Sequence, residues 1–209
     1  RKRAAMGHAA PFGLARLEVG NEERLLGGPK GYNAHYRLIT EAVWKADPKV
    51  LVISSGRWHW PHPPTNNASN WTTVYGSPCV NNPGGVWPNK TRCDIWDEHY
   101  YRTPDDMAAL ASSYDFYPRK KYPKVYVGEF AANGLGPGDQ PCGTLKAALA
   151  EAAFIMGFER NGDLVRASSF APLFGNVNYS PWKYNLVQFN ASASYTLPSC
   201  AMQRMFHAA

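Results

Sequence analysis

The chain has 209 residues, 44% of them hydrophobic and 18% charged, which fits one substantial globular domain and excludes a disordered polymer. The formal net charge of +6 is dispersed apart from Arg1-Lys2-Arg3 and Arg119-Lys120-Lys121, so no nucleic-acid partner is expected. No apolar run is long enough to cross a bilayer, so no membrane partner is expected either.

Residues 1–15 hold small residues, Gly and Pro and read as a connection into a first strand over Ala15–Gly20, which ends at Asn21-Glu22. Beyond a Gly-rich loop, Tyr36, Ile39 and Val43 recur at helical spacing, predicting a helix over Tyr32–Ala46 with Asn33 as its cap and Asp47-Pro48 as its stop. Lys49–Ser54 is apolar without alternation, as expected of a parallel strand covered on both faces. Residues 55–93 break this rhythm with Pro, Gly and Asn and read as a long inserted loop. A third strand over Asp94–Tyr101 precedes Thr103-Pro104-Asp105-Asp106, a cap, a first-turn proline and two early acids that predict a helix to Phe116. Lys124–Glu129 is a fourth strand with Glu129 at its mouth, and Thr144–Glu159 is an Ala-rich helix. Val165–Phe174 contains a fifth strand; the tail reads as irregular to Ala193, with a last short helix over Leu197–Phe206.

Strand and helix alternate about five times. Right-handed units of this kind build an open doubly wound sheet or a closed eight-stranded barrel. The phosphate-cradling patterns G-x-G-x-x-G and G-x-x-x-x-G-K-S/T are absent. Polar residues gather at three strand ends, Asn21/Glu22, Glu98/His99/Tyr101 and Glu129, and that end of a (β/α)8 barrel carries its active site. Five strands do not close such a barrel. The expected fold is therefore α/β, a partial (β/α)8 TIM barrel comprising about strands 4–8, with residues 1–209 as one incomplete barrel domain interrupted at 55–93.

A carboxylate is costly inside a buried strand but usable at its mouth. Two strands ending in a glycine-flanked Glu, among 7 Trp, 12 Tyr and 9 Phe, suggest a carboxylate pair serving a sugar. One carboxyl would protonate a leaving oxygen; the other would attack or stabilise the oxocarbenium-like centre. Sequence spacing does not separate retention, at about 5–5.5 Å between carboxyls, from inversion, at roughly 6.5–9.5 Å. His59 and His62 have no third ligand at suitable spacing, so neither a metal nor another cofactor is expected.

Gly20-Asn21-Glu22, Trp96-Asp97-Glu98-His99-Tyr100-Tyr101, Val127-Gly128-Glu129-Phe130-Ala131 and the run from Ala150 to Asn161 together resemble the α-L-arabinofuranosidases of glycoside hydrolase family 51. The segments Ala5–Phe12 and Ser169–Phe174 are similar as well. The resemblance implies retaining hydrolysis, with Glu22 as general acid/base and Glu129 as nucleophile. It implies that Asn21 bonds the sugar 2-hydroxyl, and that His99 and Tyr101 form an H-x-Y element beside the nucleophile. Gln188 and Gln203 are both candidates for the family's late glutamine.

The family's first barrel strands and its β-sandwich domain have no counterpart in these residues, and the expected substrate is an arabinose-containing oligo- or polysaccharide. Two alternatives stand beside this reading: another β-glycan hydrolase of the same clan, or an inactive truncated relative that binds carbohydrate. Cys79, Cys93, Cys142 and Cys200 form no C-x-x-C pair, and Asn-x-Ser/Thr acceptors occur at Asn67, Asn70, Asn89, Asn178 and Asn190. With Cys79 and Cys93 flanking the inserted loop, a secreted protein stapled by a Cys79–Cys93 bridge is expected.

Overall fold

The computed structural model describes residues 2–10, 12–22, 28–55, 93–117, 119, 123–133, 143–180, 182 and 185–208, with the side chains at 28–30 and 33 left out. After a single helical turn, α1 (Lys2–Ala5), the chain enters β1 (Arg16–Val19), α2 (Gly28–Ala46) and β2 (Leu51–Ser54). It continues through β3 (Ile95–Tyr101), α3 (Pro104–Ala109), a 3₁₀ helix (Leu110–Phe116), β4 (Lys124–Ala131), α4 (Leu145–Arg160) and β5 (Val165–Phe170). These five strands form one parallel sheet in chain order, with helices on its outer face: the curled half of a (β/α)8 barrel. Among the described residues no helix is long and apolar enough to cross a membrane.

The core lies between sheet and helices. Val19 and Val52 meet Tyr32 and Tyr36 of α2, and Trp44 donates its indole N–H to the Val50 carbonyl at 3.0 Å. Further along, Val125, Val127 and Phe130 of β4 pack on Phe154 and Phe158 of α4 and on Tyr114 of the 3₁₀ helix. Gly157 lets α4 approach that helix; a Cβ there would meet the Ala111 carbonyl oxygen at 2.5 Å.

The cap expected at Thr103 forms, and Thr144 caps α4 in the same way. Thr103 accepts from the Asp106 N–H at 3.2 Å and Thr144 from the Ala147 N–H at 3.3 Å, each satisfying a first-turn donor. Several expectations need correction. Position 33 falls inside α2, which begins five residues earlier, at Gly28. The helix expected over 104–116 is α-helical only to Ala109 and then tightens to 3₁₀. The tail is not irregular to Ala193. It holds β6 (Phe174–Asn176), β7 (Val187–Phe189) and β8 (Ser194–Thr196), a separate small sheet, followed by α5 (Pro198–Ala208). Three-residue strands are too short for a period to emerge from sequence. Gln188 lies buried in β7, and Gln203 lies half-buried in α5.

Cys93 is disulfide-bonded. The expected partner Cys79, the histidines at 59 and 62, the acceptors at Asn67, Asn70 and Asn89, and Cys142 lie outside the described residues.

Candidate active site

Every residue of β3 is buried, so polarity along this strand does not tell inner from outer face. Alternation does. Glu98 and Tyr100 point to the helices, where Tyr100 and Tyr114 both donate to Glu98 Oε2, at 2.7 and 2.6 Å. Burial beside that carboxylate pushes both phenols well above their ordinary range. Glu98 thus belongs to the helix-side core, correcting its expected grouping with His99 and Tyr101. Asp97, His99 and Tyr101 occupy the inner face.

Glu129 reaches that same face through a bulge. In the pairing of β3 with β4, Glu98 stands opposite Val127 and His99 opposite Glu129, so Gly128 is the extra residue. In an unbroken strand Glu129 would share the helix side with Val127 and Val125. The bulge reverses the parity, sending Glu129 inward and Phe130 outward. Glu129 is therefore not beyond the strand end; it lies within β4, paired in register with His99.

Glu22 arrives from a different geometry. Tyr32 donates its hydroxyl to the Val19 carbonyl and accepts from the Ser55 N–H, both at 2.7 Å, which ties the ends of β1 and β2 together. The chain then turns through Gly20 at φ +87° and Glu22 at φ +48°. A left-handed backbone at a non-glycine residue costs on the order of 1–3 kcal/mol and is held only where the surroundings impose it. Asn21, between them, is exposed.

These elements converge on His99. Its Nδ1 stands 2.8 Å from Glu22 Oε1 and 3.4 Å from Glu129 Oε2, and Tyr101 donates its hydroxyl to Glu129 Oε2 at 2.6 Å. Glu22, His99 and Glu129 each offer one atom within 4.8 Å of the others. Such a trio has the spacing to share a cation, with the His99 ring reaching both carboxylates. The other ring nitrogen, Nε2, lies 2.6 Å from Asp97 Oδ2. Burial alone would lower the His99 pKa, but the bond and charge of Asp97, with Glu22 and Glu129, outweigh it and lift the value to about 9. Burial and the Glu129 bond push the Tyr101 hydroxyl far above its ordinary range, so it stays a donor.

Four sequence-predicted residues, Glu22, His99, Tyr101 and Glu129, are thus joined by direct contacts. Three more belong to the site and escaped sequence reasoning. Trp182 stacks on Tyr101 with ring centroids 5.8 Å apart and an interplanar angle of 25°, presenting a half-open aromatic face beside the carboxylates. Glu18 is one acidic residue in an apolar strand, and Asp97 is one of two adjacent acids in β3. The available signal was their strand parity, two residues before His99 and within β1.

Family models for the α-L-arabinofuranosidase 1 domain and the α-L-arabinofuranosidase C-terminal domain match residues 1–119 and 128–209. The chain belongs to the family 51 α-L-arabinofuranosidases. It is 34% identical over 204 residues to the extracellular exo-α-L-arabinofuranosidase of Streptomyces chartreusis, covering 98% of this chain and 21% of that protein. Against α-L-arabinofuranosidase 1 of Arabidopsis thaliana it is 33% identical, covering 98% of this chain and 25% of that protein. An arabinose-bound family 51 α-L-arabinofuranosidase superposes with a TM-score of 0.75 at 28% identity, covering 99% of this chain and 30% of the other. The chain thus spans between a fifth and a third of the length of these three relatives. A family 51 enzyme from Xanthomonas axonopodis pv. citri, at 16% identity and a TM-score of 0.62, shares the fold.

Proposed function

We propose that these residues form the working end of a retaining glycosidase that releases terminal α-L-arabinofuranosyl groups from plant cell-wall-type polysaccharides or glycoproteins. The observation that carries this reading is the approach of Glu22 and Glu129 oxygens to within 4.8 Å of one another. That approach lies nearer the roughly 5–5.5 Å separation of retaining pairs than the roughly 6.5–9.5 Å of inverting ones. Glu129 attacks the anomeric carbon as nucleophile while Glu22 gives its proton to the leaving oxygen. Glu22 then takes a proton from the water that hydrolyses the glycosyl-enzyme. Tyr101 fixes Glu129 for attack, Asn21 bonds the 2-hydroxyl, and Trp182 offers an apolar wall.

Relatives named as arabinofuranosidases support the sugar assignment. The extracellular Streptomyces relative, the bonded Cys93 and exposed acceptors at Asn178 and Asn190 support a secreted protein. A second reading applies to the 209-residue chain by itself: it binds sugar without turning it over. It is favoured by the sheet's edges, since among the described residues β1 and β5 pair on one side only.

The deciding experiment places this chain in a polypeptide with a closed barrel and offers it aryl α-L-arabinofuranosides, β-xylosides and β-glucosides. Loss of arabinofuranoside cleavage is expected in Glu129→Ala for every substrate, and in Glu22→Ala chiefly for poor leaving groups. Preferred cleavage of a β-glycoside would instead assign the site to another hydrolase of the same clan.

A further inference from the structure

Beneath His99 lies a second acidic pair that the proposed hydrolysis does not use. Asp97 is fully buried, and its Oδ1 accepts the N–H of bulged Gly128 at 2.9 Å. Its Oδ2 stands 2.6 Å from His99 Nε2, paired with the ring. Glu18, on the inner face of β1, comes within hydrogen-bonding reach of Asp97, as inward residues of alternate barrel strands do. Glu18 Oε1 is buried without a donor. Two facing carboxylates are an unstable arrangement if both are ionised, because neither has a hydrogen to give and Glu18 Oε1 is left without a donor. A single proton satisfies both.

We infer that Glu18 is neutral and donates its carboxyl proton to Asp97, and that Asp97, thus anchored on Glu18 and Gly128, is the positioning residue that holds His99 as an imidazolium between Glu22 and Glu129. The charges then balance locally, Asp97 against His99, while the imidazolium N–H faces the two glutamates. Burial, followed by the charge and bond of Asp97, raises the Glu18 carboxyl well above its usual range, in agreement. The titratable groups around His99 are Asp97 and Tyr101 on its own strand, Glu22 and Glu18 from the β1 side, and Glu129 and Tyr126 from β4. The relevance of this device to turnover rests on the proposed roles of Glu22 and Glu129; its existence does not.

Long-range proton–nitrogen spectra of the 209-residue chain, selectively labelled at histidine, read the His99 ring directly against pH. Both ring nitrogens should stay protonated well above neutral pH in the wild type. Asp97→Asn should lower the titration by roughly one to three units. Glu18→Gln keeps an N–H donor where the carboxyl proton was and should leave the His99 titration in place, whereas Glu18→Met should move it. If Glu18→Gln shifts His99 as far as Glu18→Met does, Glu18 is ionised and the inference is overturned. A neutral His99 at pH 7 in the wild type overturns it as well. Should Asp97→Asn not fold, the Glu18 pair still decides. Within a closed barrel, Asp97→Asn should also move the alkaline limb of the kcat profile downward. A wild type inactive on arabinofuranosides but with the expected spectra would sink the proposed function and leave this inference standing.

Discussion

Gly128 and Asp97 are matched to each other: the Gly128 N–H, unpaired in the ladder because of the bulge, donates to Asp97 Oδ1 at 2.9 Å. A Cβ on Gly128 would lie 2.0 Å from that same oxygen and 2.8 Å from its carbon. Asp97 cannot yield easily, because it is fully buried and held against His99.

Gly128→Ala should therefore cost about 1–3 kcal/mol of stability, the usual range for overpacking. It should also lower activity in a closed barrel, since the bulge aims Glu129. Urea unfolding of the chain checks the first part. An alanine variant as stable as the parent would mean that the bulge relaxes without cost.

Tyr101→Phe tests a single hydrogen bond. Tyr101 gives Glu129 a 2.6 Å bond and keeps its proton across the working pH range. Hydrogen bonds to charged groups are worth roughly 1.5–3 kcal/mol, so kcat should fall about 10- to 150-fold in the closed barrel. The ring and its stack on Trp182 survive the change, so KM should move little. Equal loss in kcat for Trp182→Ala and Tyr101→Phe would indicate that the stack, not the bond, is what matters.

Why the sheet was legible and part of the site was not follows from the residues themselves. Val50–Ser54 and Lys124–Val127 are short β-rich runs between turn signals, and Thr103 and Thr144 announce helices through their own hydroxyls. Glu22, His99, Tyr101 and Glu129 stood out because each interrupts or ends an apolar stretch. Alternation is informative only where one face is wet, and β3 is buried throughout. Asp97 and Glu98 are adjacent acids of equal prominence in sequence, yet one supports the site and the other bonds Tyr114 behind the sheet. The Gly128 bulge changes the parity of β4 by one residue, which only the pairing with β3 determines. Glu18 meets Asp97 across an intervening strand, a contact made by curvature and not by any spacing in the chain.

Stability should decline as pH rises from mildly acidic to alkaline. For His99 the folded-state pKa of about 9 lies above the ordinary 6.5, so its contribution is full below about 6.5 and is lost as pH passes through 9. Glu18 acts in the same direction. Its folded pKa is raised, so the folded state resists ionisation that the unfolded chain undergoes above the ordinary carboxylate range. Glu18→Gln should therefore flatten the curve between mildly acidic and neutral pH while leaving the step near 9. Chemical denaturation of the chain in buffers from pH 5 to about 10 measures both. A curve that rises with pH through this window would contradict the assigned directions.

The roles of the two glutamates are separable by the stereochemistry of rescue. On the proposed roles no glycosyl-enzyme forms without Glu129, so turnover of every arabinofuranoside should be abolished in the closed barrel. Azide admitted to the space of the lost carboxylate attacks the anomeric carbon once, giving an inverted glycosyl azide. Without Glu22, Glu129 still attacks substrates whose leaving groups depart unaided. Loss should be small for activated aryl groups and reach about 10²- to 10⁴-fold for alkyl or sugar leaving groups. Azide then intercepts the glycosyl-enzyme on Glu129, a second displacement that yields the retained product. The 2.8 Å contact of His99 with Glu22 and the 2.6 Å bond of Tyr101 to Glu129 make both glutamates candidates for either task on geometry alone. An inverted azide from Glu22→Ala with a retained azide from Glu129→Ala would exchange the two assignments.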